Sequence, residues 1–292
     1  SRSRIFVNTE TNVSDGEAMT DATVEERVHE TIERLTSAER RAARGLLANY
    51  PMIGLAPVAE FAKSAGASPA TVLRFVARLG FGSYPEFQRA LREELKERTK
   101  SPLQRSRNKP REDGGNFLDR FSAQLAANIT ATAARVPEAE FEAACRRLAD
   151  PKRSCHLAGG RFTDALAMYM EAHLRLVRPG VRRLDGRMVT RTDQILDIKA
   201  GDTAVLFDMR RYDSEMLETA SQLRRRRAFV ILVTDEWISP ISRFAKVVLP
   251  CRVSIDRTWD ANTAMFAVVE ALIARTTELA WPTASLRISA NE

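Results

Sequence analysis

Apolar side chains recur at helical spacing through the first third of the chain. They then give way to polar punctuation and return as short unbroken runs separated by further helical stretches. The segment VEERVHETIERL places Val24, Val28, Ile32 and Leu35 on one face of a helix. Thr36 with Glu39 three residues on forms a capping box ahead of a second helix, ERRAARGLLANY. A third helix is predicted over PVAEFAKSAG. A fourth begins at Ser68 with Pro69 at its first helical position, runs through TVLRFVARLG and stops at Gly80. Ser83 and Glu86 make a second capping box, which opens a fifth helix through FQRALREELKER. Five short helices with tight connections imply an all-α domain over residues 21–98, preceded by a polar, aperiodic tail at 1–20.

The stretch TKSPLQRSRNKPREDGGN replaces periodic apolar residues with proline, glycine, serine and charge, so a linker is expected at 99–116. Two helices follow, FLDRFSAQLAANITATAARV and EAEFEAACRRLAD. Next come the runs SCHLAG, VRRL, TAVLFD, AFVILVTD and KVVLPC, with helical segments between them. Continuous apolar runs of this length, alternating with helices, are the mark of a parallel sheet covered on both faces. The second domain, residues 117–285, is therefore predicted to be a doubly wound α/β domain with a five-stranded sheet. It closes with the helix DANTAMFAVVEALIARTTEL, and 286–292 is expected to be a tail.

Composition narrows the class. With 44% hydrophobic and 28% charged residues in 292, the chain is globular, and wholesale disorder is excluded. No apolar run approaches the roughly 18 residues of a membrane span, and the first twenty residues lack the apolar core of a secretion signal. A soluble, cytoplasmic protein that does not bind membranes is the expectation. Cys145, Cys155 and Cys251 are widely spaced and fit neither a disulfide framework nor a zinc knuckle, so they are expected to be structural thiols. The net charge of +7 permits nucleic-acid binding without requiring it. Within 58–92 the balance is sharper, with Lys63, Arg74, Arg78, Arg89 and Arg92 against Glu60 and Glu86.

That basic segment carries the punctuation of a helix-turn-helix. Ala59 and Ala62 are small enough for close helix approach, Gly66 permits the turn, and Ser68-Pro69 starts the second helix. On the second helix Val72, Phe75, Val76 and Leu79 fall on the buried side. Pro69, Ala70, Thr71, Arg74 and Arg78 are left for solvent or a DNA groove. The segment from LTSAERRAARGLLANYP through ASPATVLRFVARLGFGSYPEFQRALREEL resembles the helix-turn-helix domain of the RpiR (MurR/RpiR) family of bacterial transcriptional regulators. The motif elements are Ala67-Ser68-Pro69-Ala70-Thr71-Val72, Arg74-Phe75, Leu79-Gly80-Phe81, Tyr84 and Phe87. In that family a C-terminal SIS (sugar isomerase) domain follows, and the resemblance implies a sheet of order 2-1-3-4-5 for the second half.

An open parallel sheet binds ligands beyond the carboxyl ends of its strands, where the strand order reverses. The resemblance places that crevice between the first and third strands. The first loop reads Gly159, Gly160, Arg161, Phe162, Thr163, and the second runs from Asp208 through Arg210, Arg211 and Tyr212 to Asp213. Phosphosugar-binding SIS domains carry serine-rich loops there, so this chain keeps the frame and changes the lining. Two readings follow. Arg161, Arg210 and Arg211 could clamp an anionic sugar derivative, with Asp208 and Tyr212 on its hydroxyls. Alternatively, arginine–aspartate pairs close the crevice and the domain serves only to dimerise. Trp259-Asp260 is a candidate pocket wall.

The SIS resemblance also raises an isomerase reading, which requires a base beside the substrate carbon. His29, His156 and His173 fall in the helical domain, inside a strand and inside a helix, and none lies at a strand's carboxyl end. No catalytic constellation, metal-ligand cluster or cofactor motif is found. The expected function is thus a non-enzymatic transcriptional regulator. Its expected partners are a double-stranded operator with inverted repeats, a small anionic carbohydrate-type effector, and a second copy of itself as a dimer or tetramer. The expected DNA contacts are Lys63, Ser68, Pro69, Ala70, Thr71, Arg74, Arg78 and Arg89.

Overall fold

The computed structural model describes residues 23–48, 50–99, 116–255 and 259–292, which separate into two compact units, 1–93 and 94–292. The predicted tail at 1–20 and nearly all of the linker at 99–116 lie outside the described residues. The unit boundary falls within the last helix of the first domain, a few residues before the predicted linker.

In the first unit the helices are α1 (Val24–Thr31), α2 (Ser37–Ala48), α3 (Met52–Leu55), α4 (Val58–Ser64), α5 (Pro69–Arg78) and α6 (Tyr84–Thr99). The structure adds α3, a single turn after Pro51, to the five helices expected from the sequence. It also breaks the first helix, which tightens into a 3-10 turn at Ile32–Arg34 before Leu35. The Thr36–Glu39 capping box forms in both directions, with main-chain N–H distances of 2.9 and 3.3 Å. Its Thr36 main-chain hydrogen bond holds the Glu39 carboxyl below the ordinary carboxylate range. A second box, Thr23–Glu26, caps α1; its T-x-x-E spacing is a local signal that the helical periodicity of the segment does not convey. At α6 Ser83 Oγ accepts the Glu86 N–H at 3.3 Å as expected, whereas the Glu86 carboxylate reaches Gly82 N at 2.9 Å, one residue before Ser83. The core gathers the apolar stripes of all these helices around Phe61, Phe75, Phe81 and Phe87, with Phe61 and Phe75 edge to face at 6.5 Å.

The second unit opens with α7 (Phe117–Arg135) and α8 (Glu138–Ala149). Then follow β1 (Cys155–Gly159), α9 (Asp164–Val177), β2 (Val181–Arg183), α10 (Met188–Leu196), β3 (Thr203–Asp208), α11 (Ser214–Arg225), β4 (Phe229–Asp235) and β5 (Val247–Cys251). The chain ends with α12 (Thr263–Leu279) and α13 (Trp281–Ser289). The five strands are parallel in the order β2-β1-β3-β4-β5, as the resemblance implied. Alternate strand residues supply two cores. Leu157, Val205, Phe207, Ile231 and Val233 pack against α8, α9 and α12, while Ala158, Leu206, Val230 and Leu232 pack against α10 and α11. The three cysteines are free and buried, and burial pushes Cys145 and Cys155 up to about 12, in keeping with inert structural thiols. The expected tail at 286–292 is corrected in part: α13 carries the chain in helical form to Ser289, with Ala284 buried beside Val177 and Ala280.

Candidate functional site

The helix-turn-helix occupies α4 and α5. Gly66, at φ +60°, supplies the left-handed turn residue, with open space where a side chain would begin. Arg41 from α2 donates to its carbonyl at 3.3 Å. Ser68 caps α5 by accepting the Thr71 N–H at 3.2 Å, and Pro69 stands at the first helical position. The helix ends with Gly80 at φ +88° and the Phe81 N–H returning to the Val76 carbonyl at 3.3 Å. Val72, Phe75, Val76 and Leu79 are buried as predicted, and Pro69, Ala70, Arg74 and Arg78 are exposed.

Two placements on this helix differ from expectation. Thr71, expected on the groove face, is buried. Its hydroxyl sits 2.9 Å from Ser68 Oγ and accepts Arg74 Nη2 at 3.4 Å, so it supports the cap and steadies an arginine. Leu73, not singled out in the sequence, is 46% exposed on the outward face. Leu73 lies three residues after Ala70 and four before Ala77, both outward, and that spacing was the available signal. Lys63 on α4 and Arg89 on α6 are exposed as expected. Arg74 and Arg78 both lie near enough to Glu39 for their charges to favour its ionised form.

In the second unit the loop after β1 turns sharply into α9. A Cβ on Gly159 would meet the Thr163 carbonyl and the Asp164 nitrogen at 2.5 Å, so only glycine fits the existing path. Thr163, proposed from the sequence as a ligand contact, is buried. Its hydroxyl donates to the Phe207 carbonyl at 2.7 Å and accepts the Gly160 N–H at 2.9 Å, tying the β1 and β3 loops together. Gly160 lies at the mouth of the turn. Arg161 and Phe162 are exposed; Phe162 stacks obliquely on Trp259 at 5.7 Å, and the Arg161 guanidinium lies 5.4 Å from the Phe162 ring.

The loop after β3 is turned inward. The Arg210 side chain is 4% exposed and forks onto Asp260, with Nε 2.7 Å from Oδ2, while its guanidinium covers the Trp237 ring at 3.7 Å. Its main-chain N–H donates to Asp235 Oδ2 at 2.6 Å. Tyr212 donates to the other oxygen of Asp235 at 2.8 Å, and Ser239 donates to Asp208. Burial pushes both Asp208 and Asp235 up to about 7. Of the expected clamp, then, Arg161 and Arg211 face solvent, whereas Arg210, Asp208 and Tyr212 are engaged inside the domain. Asp235 and Ser239, at the end of β4, organise this cluster and were not singled out as site residues. The cost of burying the Asp235 carboxylate is not visible in sequence, because two of its three donors, Arg210 N and the Tyr212 hydroxyl, come from the loop after β3 and only the Trp237 N–H is local.

Among the described residues no group of three or more histidine, cysteine, aspartate or glutamate side chains could hold a metal ion. His173 is exposed on α9 and engages the Tyr169 carbonyl at 2.9 Å. No helix among the described residues is long and apolar enough to cross a membrane.

Comparison with known proteins adds the following. Residues 22–98 match the model described as a helix-turn-helix domain of the rpiR family, and residues 148–275 match the SIS domain. No curated protein matches the chain. Among solved structures, the sugar isomerase domain of an RpiR transcription factor from Sphaerobacter thermophilus is 20% identical with a TM-score of 0.51, covering 60% of this chain and 96% of its own. The Vibrio vulnificus NanR protein, in a complex with ManNAc-6P, is 16% identical with a TM-score of 0.53, covering 92% of this chain and 96% of its own. At these identities the two structures share the fold.

Proposed function

From a chain that joins an rpiR-family helix-turn-helix domain to a SIS domain, an RpiR-type transcriptional regulator in architecture, we propose a protein that binds an operator through α5 and responds to a small anionic carbohydrate derivative. The observation that carries the DNA half is the outward face of α5, where Arg74 and Arg78 project beside the short side chains of Pro69 and Ala70. An arginine-bearing helix whose opposite face is fully buried is suited to a major groove, and its capped N-terminus favours phosphate. Lys63 and Arg89 flank it as backbone contacts. A second copy of the chain gives the operator its inverted repeat.

The SIS half is proposed to take its ligand at the mouth of the crevice, where exposed Arg161 lies against the Phe162–Trp259 pair and exposed Arg211 stands in the loop after β3. The NanR protein is complexed with ManNAc-6P, which supports the ligand class. With no histidine at the crevice and Asp208 held by Ser239, the residues favour sensing over isomerisation. The Arg210–Asp260 pair supports a second reading, a crevice closed from within and a domain that only pairs subunits.

The deciding experiment is fluorescence anisotropy on the DNA upstream of the protein's own gene, at fixed physiological salt, against scrambled competitor. Specific binding well above background is the expected result, and equal binding to both sequences would count against the regulator. Sugar phosphates and sugar acids added to the same assay then separate the two readings. Ligand that shifts operator affinity supports sensing, and by linkage the operator must shift ligand affinity by the same factor. Failure of every candidate to raise the melting temperature would favour the closed crevice.

A further inference from the structure

The α/β domain holds a polar cavity of about 230 Å³ at the amino ends of β1 and β3, away from the loops that follow those strands. It lies on the α10 face of the sheet. The register pairs His156 with Arg182 on one side and with Ala204 on the other, so these side chains share that face, and Ala204 sits in the core with Leu184, Ile195 and Ile198.

At the cavity wall His156 is more than nine-tenths buried, and its Nε2 has no hydrogen-bond partner. The nearest acidic atom, Asp202 Oδ2, is 3.8 Å away, beyond hydrogen-bonding range. That carboxylate is already engaged by the chain itself, accepting the Ser154 N–H at 3.1 Å and the Lys199 N–H at 2.9 Å. A buried ring nitrogen left unsatisfied is costly, and native structures rarely tolerate one without a use.

The remaining lining is rich in donors. Arg182 and Lys199 are exposed at the rim with no acidic partner among the described residues. Gln194 accepts from Asp185 N through Oε1, which leaves its amide nitrogen to donate. Arg183 pairs with Leu157 and turns its side chain to the α9 face, where it meets Asp164 at 2.8 Å and Glu171 at 3.8 Å, so it adds no side-chain donor to the cavity. The opposing charges are Asp202, bound as described, and exposed Asp197. Among the described residues the acidic groups form no metal-holding cluster.

We propose that this cavity is a binding site for a tetrahedral oxyanion of the sulfate or phosphate type. Arg182 and Lys199 supply the charge, and His156 Nε2 donates from the buried wall. The cavity lining shares no residue with α5 or with the loops after β1 and β3. Burial lowers the proton affinity of His156, with Arg182 acting in the same direction and Asp202 opposing them. A bound anion beside the ring reverses that balance, so binding carries a proton with it and tightens as pH falls.

The test follows the imidazole proton resonances of the full-length protein during titration with sodium sulfate, with sodium chloride at matched ionic strength as the control. The chain has three histidines, so the His156 signal is the one retained in the His29→Gln/His173→Gln variant. Sulfate stays divalent across the range, so any pH dependence belongs to the protein. The expected result is a saturable shift of the His156 signal with sulfate and not chloride, tighter at about pH 6 than at about pH 8. Arg182→Gln, a change at the exposed rim, is expected to weaken it about tenfold. Parallel titrations with phosphate and acetate separate tetrahedral anions from carboxylates. No sulfate-specific shift, equal affinity for acetate, or a shift unchanged in the Arg182→Gln/Lys199→Gln variant would overturn the assignment.

Discussion

Asp208 shows how much of a residue's chemistry is set by its neighbours. Its sequence position suggested a ligand contact, yet burial places its carboxyl near pH 7 in the folded protein, while the Ser239 hydroxyl and main-chain N–H groups pull the other way. A folded-state pKa raised above the unfolded value of about 4 means that the neutral acid is the favoured form. Its stability contribution is complete below about pH 4 and is lost as pH rises through about 7. Asp208→Asn, neutral throughout, should therefore make the α/β domain lose less stability than the wild type between about pH 5 and about pH 8. All three tryptophans, Trp237, Trp259 and Trp281, belong to that domain, so urea unfolding followed by their fluorescence reads it selectively. Identical pH slopes for the two proteins would refute the assignment. On α5, Arg74→Ala is expected to weaken operator binding by roughly 1–3 kcal/mol if the guanidinium reads a base. A loss shared by all sequences, with a salt slope smaller by about one, identifies a phosphate contact instead. Unchanged affinity and slope would remove Arg74 from the interface. The sequence marked Arg74 and Arg78 correctly as outward-facing. It misplaced Thr71 because a helical wheel cannot show that a threonine one turn into a helix folds back onto its own cap.

At the scale of elements, the sequence is most legible where a boundary has its own chemistry. Ser68-Pro69 opens α5 and Gly80 follows its end, because an N-cap hydroxyl, a fixed proline φ and a left-handed glycine are each local requirements. Ser68→Ala should lower the stability of the helical domain by about 1 kcal/mol. That domain contains no tryptophan, so its unfolding appears in circular dichroism without a matching fluorescence change. An unaltered dichroism transition would mean that the cap adds nothing. Gly159 is a different kind of boundary, fixed by close approach. Because an added Cβ would stand 2.5 Å from the Thr163 carbonyl and the Asp164 nitrogen, Gly159→Ala must push the α9 start away from β1. The expected loss is roughly 1–3 kcal/mol in the fluorescence-detected transition, and a wild-type midpoint would show that the loop yields freely. The one-turn helix α3 left no such mark, since four residues are too few to display a period.

For the whole molecule, the proposed inverted-repeat operator requires at least two copies of the chain, so light scattering should return a mass of twice 32.7 kDa or more. The α/β domain presents an apolar groove of about 370 Å³ between α7, α8 and α12, and it leaves Trp281 and Leu286 exposed on α13, surface in keeping with self-association. A monomer at working concentration would remove the two-fold argument. The sequence by itself determined the two-domain order, the helix-turn-helix and the five strands. Those features rest on periodicity and on caps and turns, which act over a few residues. The SIS strand order followed from resemblance, and the sheet pairing agrees with it. Only the tertiary structure decided that Arg210 reaches Asp260 fifty residues on, that the Arg210 N–H and the Tyr212 hydroxyl converge on Asp235, and that His156 lines a cavity with one nitrogen unsatisfied. Such pairings depend on which strands lie side by side and which face each residue takes. Solvation and charge are then set by neighbours distant in the chain, and no local pattern records them.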